Sequence, residues 1–461
     1  MKLTFYFILL LSLIFYNAEA SDLSKKAESS LKKGVSFFFS INAHGGYVYN
    51  VTPDLKLRWG EGPKDEHTIE VQPPGTPAVG LSFLKAYQVT GDKKALEAAK
   101  AAAYALIEGQ NSNGGWEHTI NFNDLSNQTV SFDDDQTQTA VSFLMALDQE
   151  IDDPKLDVAV EMALKMMVTT QLDNGGWPHK WPEQGNYHDY ATFNDEGIND
   201  CLRVMMEAYQ YYGNNEAVEK SLRKAARFMM ISQLPPPQPG WAQQYNEYLQ
   251  PAWARTFEPA SLCPSVTIKN INSLIDLFLV LDQETLLEPI PDALRWLNDI
   301  RLENGLWARF VEIGTNKPLY YDRGRIRVNS TAELHPERRT GYGYETNIAS
   351  QIERGTKRYQ MAIELGREGL MKAENPPLTK ESVTSRLAEL EEQVNQILNS
   401  QESNGAWITK DDRFKRDMPR GVRWNGEYDV MDRISSGVFN RNVEVLCEYI
   451  ELSDWLQKLG Y

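Results

Sequence analysis

A glycine followed by an aromatic residue recurs where apolar helical stretches end: Gly46-Tyr47, Gly115-Trp116, Gly176-Trp177 and Gly240-Trp241, then Trp307 after Gly305 and Trp407 after Gly405. These aromatic positions stand 69, 61, 64, 66 and 100 residues apart. A period of about 65 residues has room for two helices and two connections, so the repeating unit is a helical hairpin. The spacing of apolar residues predicts helices over about 23–40, 77–89, 93–110, 135–150, 155–171, 195–212, 215–233, 264–282, 288–302, 346–366, 380–401 and 434–458. The Ala95–Ala105 stretch adds helix propensity to the pattern, and no long alternating run calls for a sheet. Hairpins of this kind cannot bury their apolar faces alone. An all-α fold follows, an α/α toroid in which the first and last helices pair and the long loops gather at one rim.

Lys2, the apolar run Leu3–Tyr16 and Ala18-Glu19-Ala20 have the layout of a secretory signal. We therefore expect residues 1–20 to be removed, leaving a single domain over 21–461, secreted or periplasmic and monomeric, in which 350–461 closes the ring. The apolar run is too short to span a bilayer, which takes about 20 residues. Cys201, Cys263 and Cys447 have no metal-ligand spacing and read as small buried residues. A formal charge of −17 argues against a nucleic acid or an anionic membrane as partner. An acidic ligand then needs a local cationic groove or a metal. The loop between about 303 and 345 supplies the cations: Arg309, Arg323, Arg325, Arg327, Arg338 and Arg339.

The blocks TVSFDDDQTQT (129–139), NGGWP (174–178), YHDYATFND (187–195), ARTFEPASL (254–262), WARF (307–310) and ERRTGYGY (337–344) occur in this order. Together they resemble the family-10 polysaccharide lyases, the pectate lyases of that family, over about residues 95–347. The resemblance implies export, an α/α toroid, an acidic polysaccharide partner and Ca2+-assisted β-elimination of polygalacturonate. It implies further that Asp133 and Asp195 lie near the metal, with Asp195 also catalytic, and that Arg255 is the base. Arg338 or Arg339, with Arg323, would clamp a substrate carboxylate, and Asn194 would contact substrate. Three departures, Gln244-Tyr245-Asn246, Tyr190 and FDDDQT, are expected in loops that line the cleft and so to affect substrate preference.

Removing the C5 proton of a uronic acid builds a second negative charge on its carboxylate, which a cation and arginines stabilise in advance. Asp133 and Asp195, each after the turn and near the next helix start, read as equivalent positions of successive hairpins. An arginine base is awkward because guanidinium pKa values exceed ~12; neighbouring cations would lower Arg255. Glu258, Phe257 and Trp253 are also within its local reach. Trp177 reads as scaffold and Trp181 as a sugar-stacking position. Two other readings fit parts of the pattern: a polyuronate-binding protein without turnover, and a terpenoid cyclase, which the arginines oppose.

Overall fold

The computed structural model describes residues 22–213, 215–416, 418 and 424–460. The expected signal segment and its cleavage point near Ser21 lie outside them. Each of the twelve expected helices forms. They are α1 (22–40), α2 (Thr76–Thr90), α3 (Lys93–Gly109), α4 (Gln136–Asp148), α5 (Pro154–Thr169), α6 (Gly197–Tyr211) and α7 (Glu216–Ile231). After α8 (Pro264–Leu281) and α9 (Ile290–Asp299) comes a short unexpected turn of helix, α10 (Pro336–Gly341). The chain ends with α11 (Ala349–Glu374), α12 (Lys380–Ser400) and α13 (Ser436–Lys458). Starts follow local chemistry: Asp92, Asp153 and Asn215 each accept a backbone N–H of the first turn with their side chains. The expected end of α11 at 366 is a break at Gly366, φ 64°, after which the helix resumes because Leu370 is still buried.

α13, α2, α4, α6, α8 and α11 pack side by side as an inner ring, and α12, α3, α5, α7 and α9 pack outside it. α1 joins the outer layer beside α12 and α13, with Gly34 against the Trp407 ring and Phe38 stacked on Phe439 at 4.0 Å between centroids. Every outer helix runs through a long loop into an inner one, so the long loops emerge at one rim and the short connections at the other.

The glycine-aromatic turns are the rivets of this ring. The indole N–H of Trp116 donates to Leu106, Trp177 to Met167, Trp241 to Met229, Trp307 to Leu297 and Trp407 to Ile397, all backbone carbonyls of the preceding helix. The first three indoles are fully buried, each contributing on the order of 3 kcal/mol. A glutamine before the turn bridges to the next outer helix: Gln110 to Ala159, Gln171 to Ser221, Gln233 to Pro289. The same bond closes the circle, since Gln401 donates to the Ser30 carbonyl of α1 and accepts from the Ser30 hydroxyl.

Strands also form at the loop rim, where the sequence carries no alternating signal. Short antiparallel ladders join neighbouring loops, 68–70 with 119–121, 130–131 with 180–181, and 191–192 with 244–245. A five-stranded sheet runs 408–415, 428–435, 50–51, 58–60, 62–64 and ties the last loop to the first. Strands of two or three residues are too short to show a period, and the 408–415 pair is charged along its length. Cys201, Cys263 and Cys447 are buried free thiols.

Candidate active site

One hydrogen bond recurs between successive rim loops. Val71 N–H donates to the His118 carbonyl, Phe132 to His179, Phe193 to Gln243, and Ser436 to Tyr49 across the closure. Each acceptor is the residue two positions after a turn aromatic. Tyr49, His118, His179, Gln243, Arg309 and Thr409 therefore occupy the same station of the six loops.

The next inner helix starts from two consecutive left-handed residues. Asp134 and Asp135 have φ 46° and 58°, and Asp195 and Glu196 have φ 47° and 62°. For residues with a Cβ this costs roughly 1–2 kcal/mol each, a strain typical of functional sites. The repeat alignment is corrected accordingly: Asp195 is the counterpart of Asp134, and Asp133 is the counterpart of Asn194. The double twist lets Asp133 of one loop meet Asp195 of the next.

Asp133, Asp195 and His179 each offer a ligand atom, all within 4.8 Å of one another. His179 was not anticipated from sequence; its signal was its place two residues after Trp177, shared with His118 after Trp116. Asp133 Oδ1 and His179 Nε2 are buried 3.5 Å apart, and neither has a hydrogen-bond partner. Burial pushes the Asp133 carboxyl up to about 6, with the Asp195 charge adding to it. Asp134 is raised to about 7, by burial and then by Asp133. Burial holds His179 below its ordinary value, so its imidazole is neutral with a lone pair to give. Two orphaned buried donors and crowded carboxylates fit a divalent cation. The carboxylates suit calcium, whereas an imidazole nitrogen suits a transition metal.

A pH effect follows. Because Asp133 is raised from 3.8 to about 6 in the fold, the folded state holds a proton that the unfolded chain has released, and stability falls as pH rises through that window. We expect the chelated protein to lose on the order of 2 kcal/mol between pH 4 and 6.5, a few degrees in Tm. Thermal denaturation at stepped pH checks this: Asp133→Asn should lessen the slope, with Asp134, raised in the same direction, accounting for part of what remains, and a wild-type profile that is already flat there would contradict it.

Across from the carboxylates stands Arg255. Its Nη2 is 3.9 Å from Asp195 Oδ2. Its Nε and Nη2 donate to Glu258 at 2.8 and 2.6 Å, and its backbone N–H donates to the same carboxylate at 3.0 Å. Glu258 is wholly buried and also accepts from the Tyr342 hydroxyl at 2.5 Å. Although burial opposes it, the arginine draws Glu258 down to about 2. Burial likewise pulls against the guanidinium, but the Glu258 bonds and charge outweigh it and Arg255 is raised. This is opposite to the direction expected from neighbouring cations, because the nearest charge is a carboxylate.

Arg338 and Arg323 lie over the Phe257 ring with Arg255, at 4.4, 5.2 and 5.3 Å. Arg309 lies 4.3 Å over Tyr342 and donates to Asn194 Oδ1 at 3.2 Å. Asn194 in turn donates to Asp195, so it links the arginine to the Asp195 carboxylate. The Nε atoms of Arg309 and Arg338 are buried without partners. Arg339 points elsewhere and braces its loop by donating to the Ala332 and Leu334 carbonyls. Arg327 pairs with Glu312. Trp181 is half-buried against the core. Of the departures expected at the cleft, Asp134 and Asp135 of FDDDQT do line it, whereas Tyr245 is fully buried against Phe193 and Phe228, and Asn246 caps its own turn. A cleft of about 530 Å³ opens beside the carboxylates, lined among others by Asp134, Asp195, Gln243 and Arg309.

The model of the pectic acid lyase family matches residues 118–305 and 299–353, a span that contains Asp133, His179, Asp195, Arg255, Glu258, Arg309 and Arg338. This chain belongs to the pectic acid lyase family. A family 10 polysaccharide lyase from Cellvibrio cellulosa, solved as a variant in complex with trigalacturonic acid, is similar in fold at TM-score 0.50 and 21% identity, covering 61% of this chain and 98% of that one. The same lyase without ligand gives TM-score 0.50 and 21% identity over 60% and 97%. No curated protein sequence matches the chain. As a pectic acid lyase the chain is a polysaccharide lyase, and its matched span covers α4 to α9 with their rim loops, together with α10 and the start of α11.

Proposed function

We propose that this lyase is exported and cleaves polygalacturonate by calcium-assisted β-elimination, with Arg255 accepting the C5 proton. The observation that carries the reading is a carboxylate pair, Asp133 and Asp195, of which Asp195 faces Arg255 across 3.9 Å. When bound between those carboxylates, calcium supplies positive charge against the uronate carboxylate, where the second negative charge develops. Arg338 and Arg309 are oriented by the Phe257 and Tyr342 rings to hold the same anion. For Arg255 to take a proton it must first release one to solvent, a step that its bonds to Glu258 oppose by holding the guanidinium charged. The buried Glu258 carboxylate and its bonds fix the guanidinium in place opposite Asp195.

The test is product formation from polygalacturonate followed by ultraviolet absorbance of the new C4–C5 double bond. Absorbance should rise with calcium present, stop with chelator and resume when calcium is restored. Cleavage that persists in chelator would remove calcium from the mechanism, and binding of the polymer without unsaturated product would favour a binding protein.

A further inference from the structure

The hairpin 408–415/428–435 lies outside the span matched by the family, yet it belongs to the same rim as the cleft. Its sheet continues through 50–51 and 58–60 to 62–64, and at the tip of that last turn Glu61 comes 3.8 Å from the His118 imidazole. His118 holds the loop station next to that of His179.

The cations of this hairpin fall into two kinds. Lys410 pairs with Asp432 at 3.3 Å, Arg416 with Asp429 at 2.9 Å, and Arg433 with Asp412 at 2.6 Å. Arg413 and Lys415 have no carboxylate partner among the described residues. Two apart on one strand, they share its outward face. Each instead covers an aromatic ring: Arg413 lies 3.9 Å over Tyr428 and Lys415 lies 4.9 Å over Trp424. Those two rings meet edge to face at 5.2 Å. Rings fix the cations in place while leaving their N–H groups to solvent, which lowers the entropy lost when a carboxylate binds. Uncompensated cations held this way are unexpected on a chain of net charge −17 unless something anionic meets them.

We infer that the Arg413/Lys415 face is an accessory subsite that binds a stretch of polyuronate extending beyond the cleft. The inference rests on the polygalacturonate reading above. Its consequence is a preference for long substrate carried by KM.

The double variant Arg413→Ser/Lys415→Ser separates the possibilities. On polygalacturonate its KM should rise about fivefold to tenfold, the range for losing two exposed charge contacts. On trigalacturonate both kcat and KM should stay at wild-type values, which also establishes that the variant is folded. Lys410→Ala, removing a paired cation, should change neither. Added salt should erode the wild-type advantage on the polymer. An unchanged KM on the polymer overturns the inference. If wild type yields no unsaturated product, the lyase reading fails separately, and electrophoresis in gels containing polygalacturonate decides this one: retardation weakened in the double variant supports it, and equal retardation overturns it.

Discussion

Arg255→Ala is expected to lower kcat on polygalacturonate by about a thousandfold, the usual scale for removing a positioned proton acceptor, with a smaller change in KM. The substitution also strands Glu258, a fully buried carboxylate drawn to about 2 by its partner. Breaking such a pair from one side costs about 3–5 kcal/mol, so a loss of activity could come from the fold. Two companions separate the effects. Arg255→Lys keeps a charge near Glu258 but loses the two-pronged fork, and should fold well while remaining at least a hundredfold slow. Arg255→Ala/Glu258→Gln removes the stranded charge and should recover stability without recovering turnover. A folded Arg255→Ala enzyme with more than a tenth of wild-type kcat would dismiss Arg255 as the proton acceptor.

Asp195→Ala is expected to be comparably severe, roughly a thousandfold in kcat/KM at fixed calcium, because it removes both an oxygen of the proposed metal site and the group that Asn194 orients. Asp133→Ala should match it, with calcium affinity reduced in both by titration calorimetry. Asn194→Ala, which breaks the link from Arg309 to Asp195, should cost about tenfold to a hundredfold. His179→Ala distinguishes the metal class. With calcium at the site its affinity should change little, whereas zinc binding should weaken strongly, since nitrogen ligands matter for the second ion and hardly for the first. Undiminished activity of Asp195→Ala at the same calcium concentration would rule out the carboxylate pair.

The helices were legible because each buries one stripe along a period that the local sequence carries, and the turns because a glycine and an aromatic must sit together there. What failed to register was tertiary. The rim sheet joins 50–51 to 434–435, a pairing that neither segment announces. His179 carried no signal of its own in the loop; the ladder between 130–131 and 180–181 brings it under Asp133. Arg255 and Glu258 were within sight of each other in sequence, but the direction of the guanidinium's shift depends on Glu258 being fully buried. Resemblance named Asp133, Asp195 and Arg255, and the fold brings these three side chains together. It could not say that Arg339 would turn away to brace a loop while Arg338 stayed over Phe257.

The rivets of the ring are made from indole N–H groups, glutamine amides and backbone carbonyls. None of those bonds involves the side chain two residues beyond the aromatic. That position already holds tyrosine, histidine, histidine, glutamine, arginine and threonine in one molecule. The scaffold is thus indifferent to what its six stations display, and a new ligand set can be written into them one residue at a time without loosening the circle that carries it.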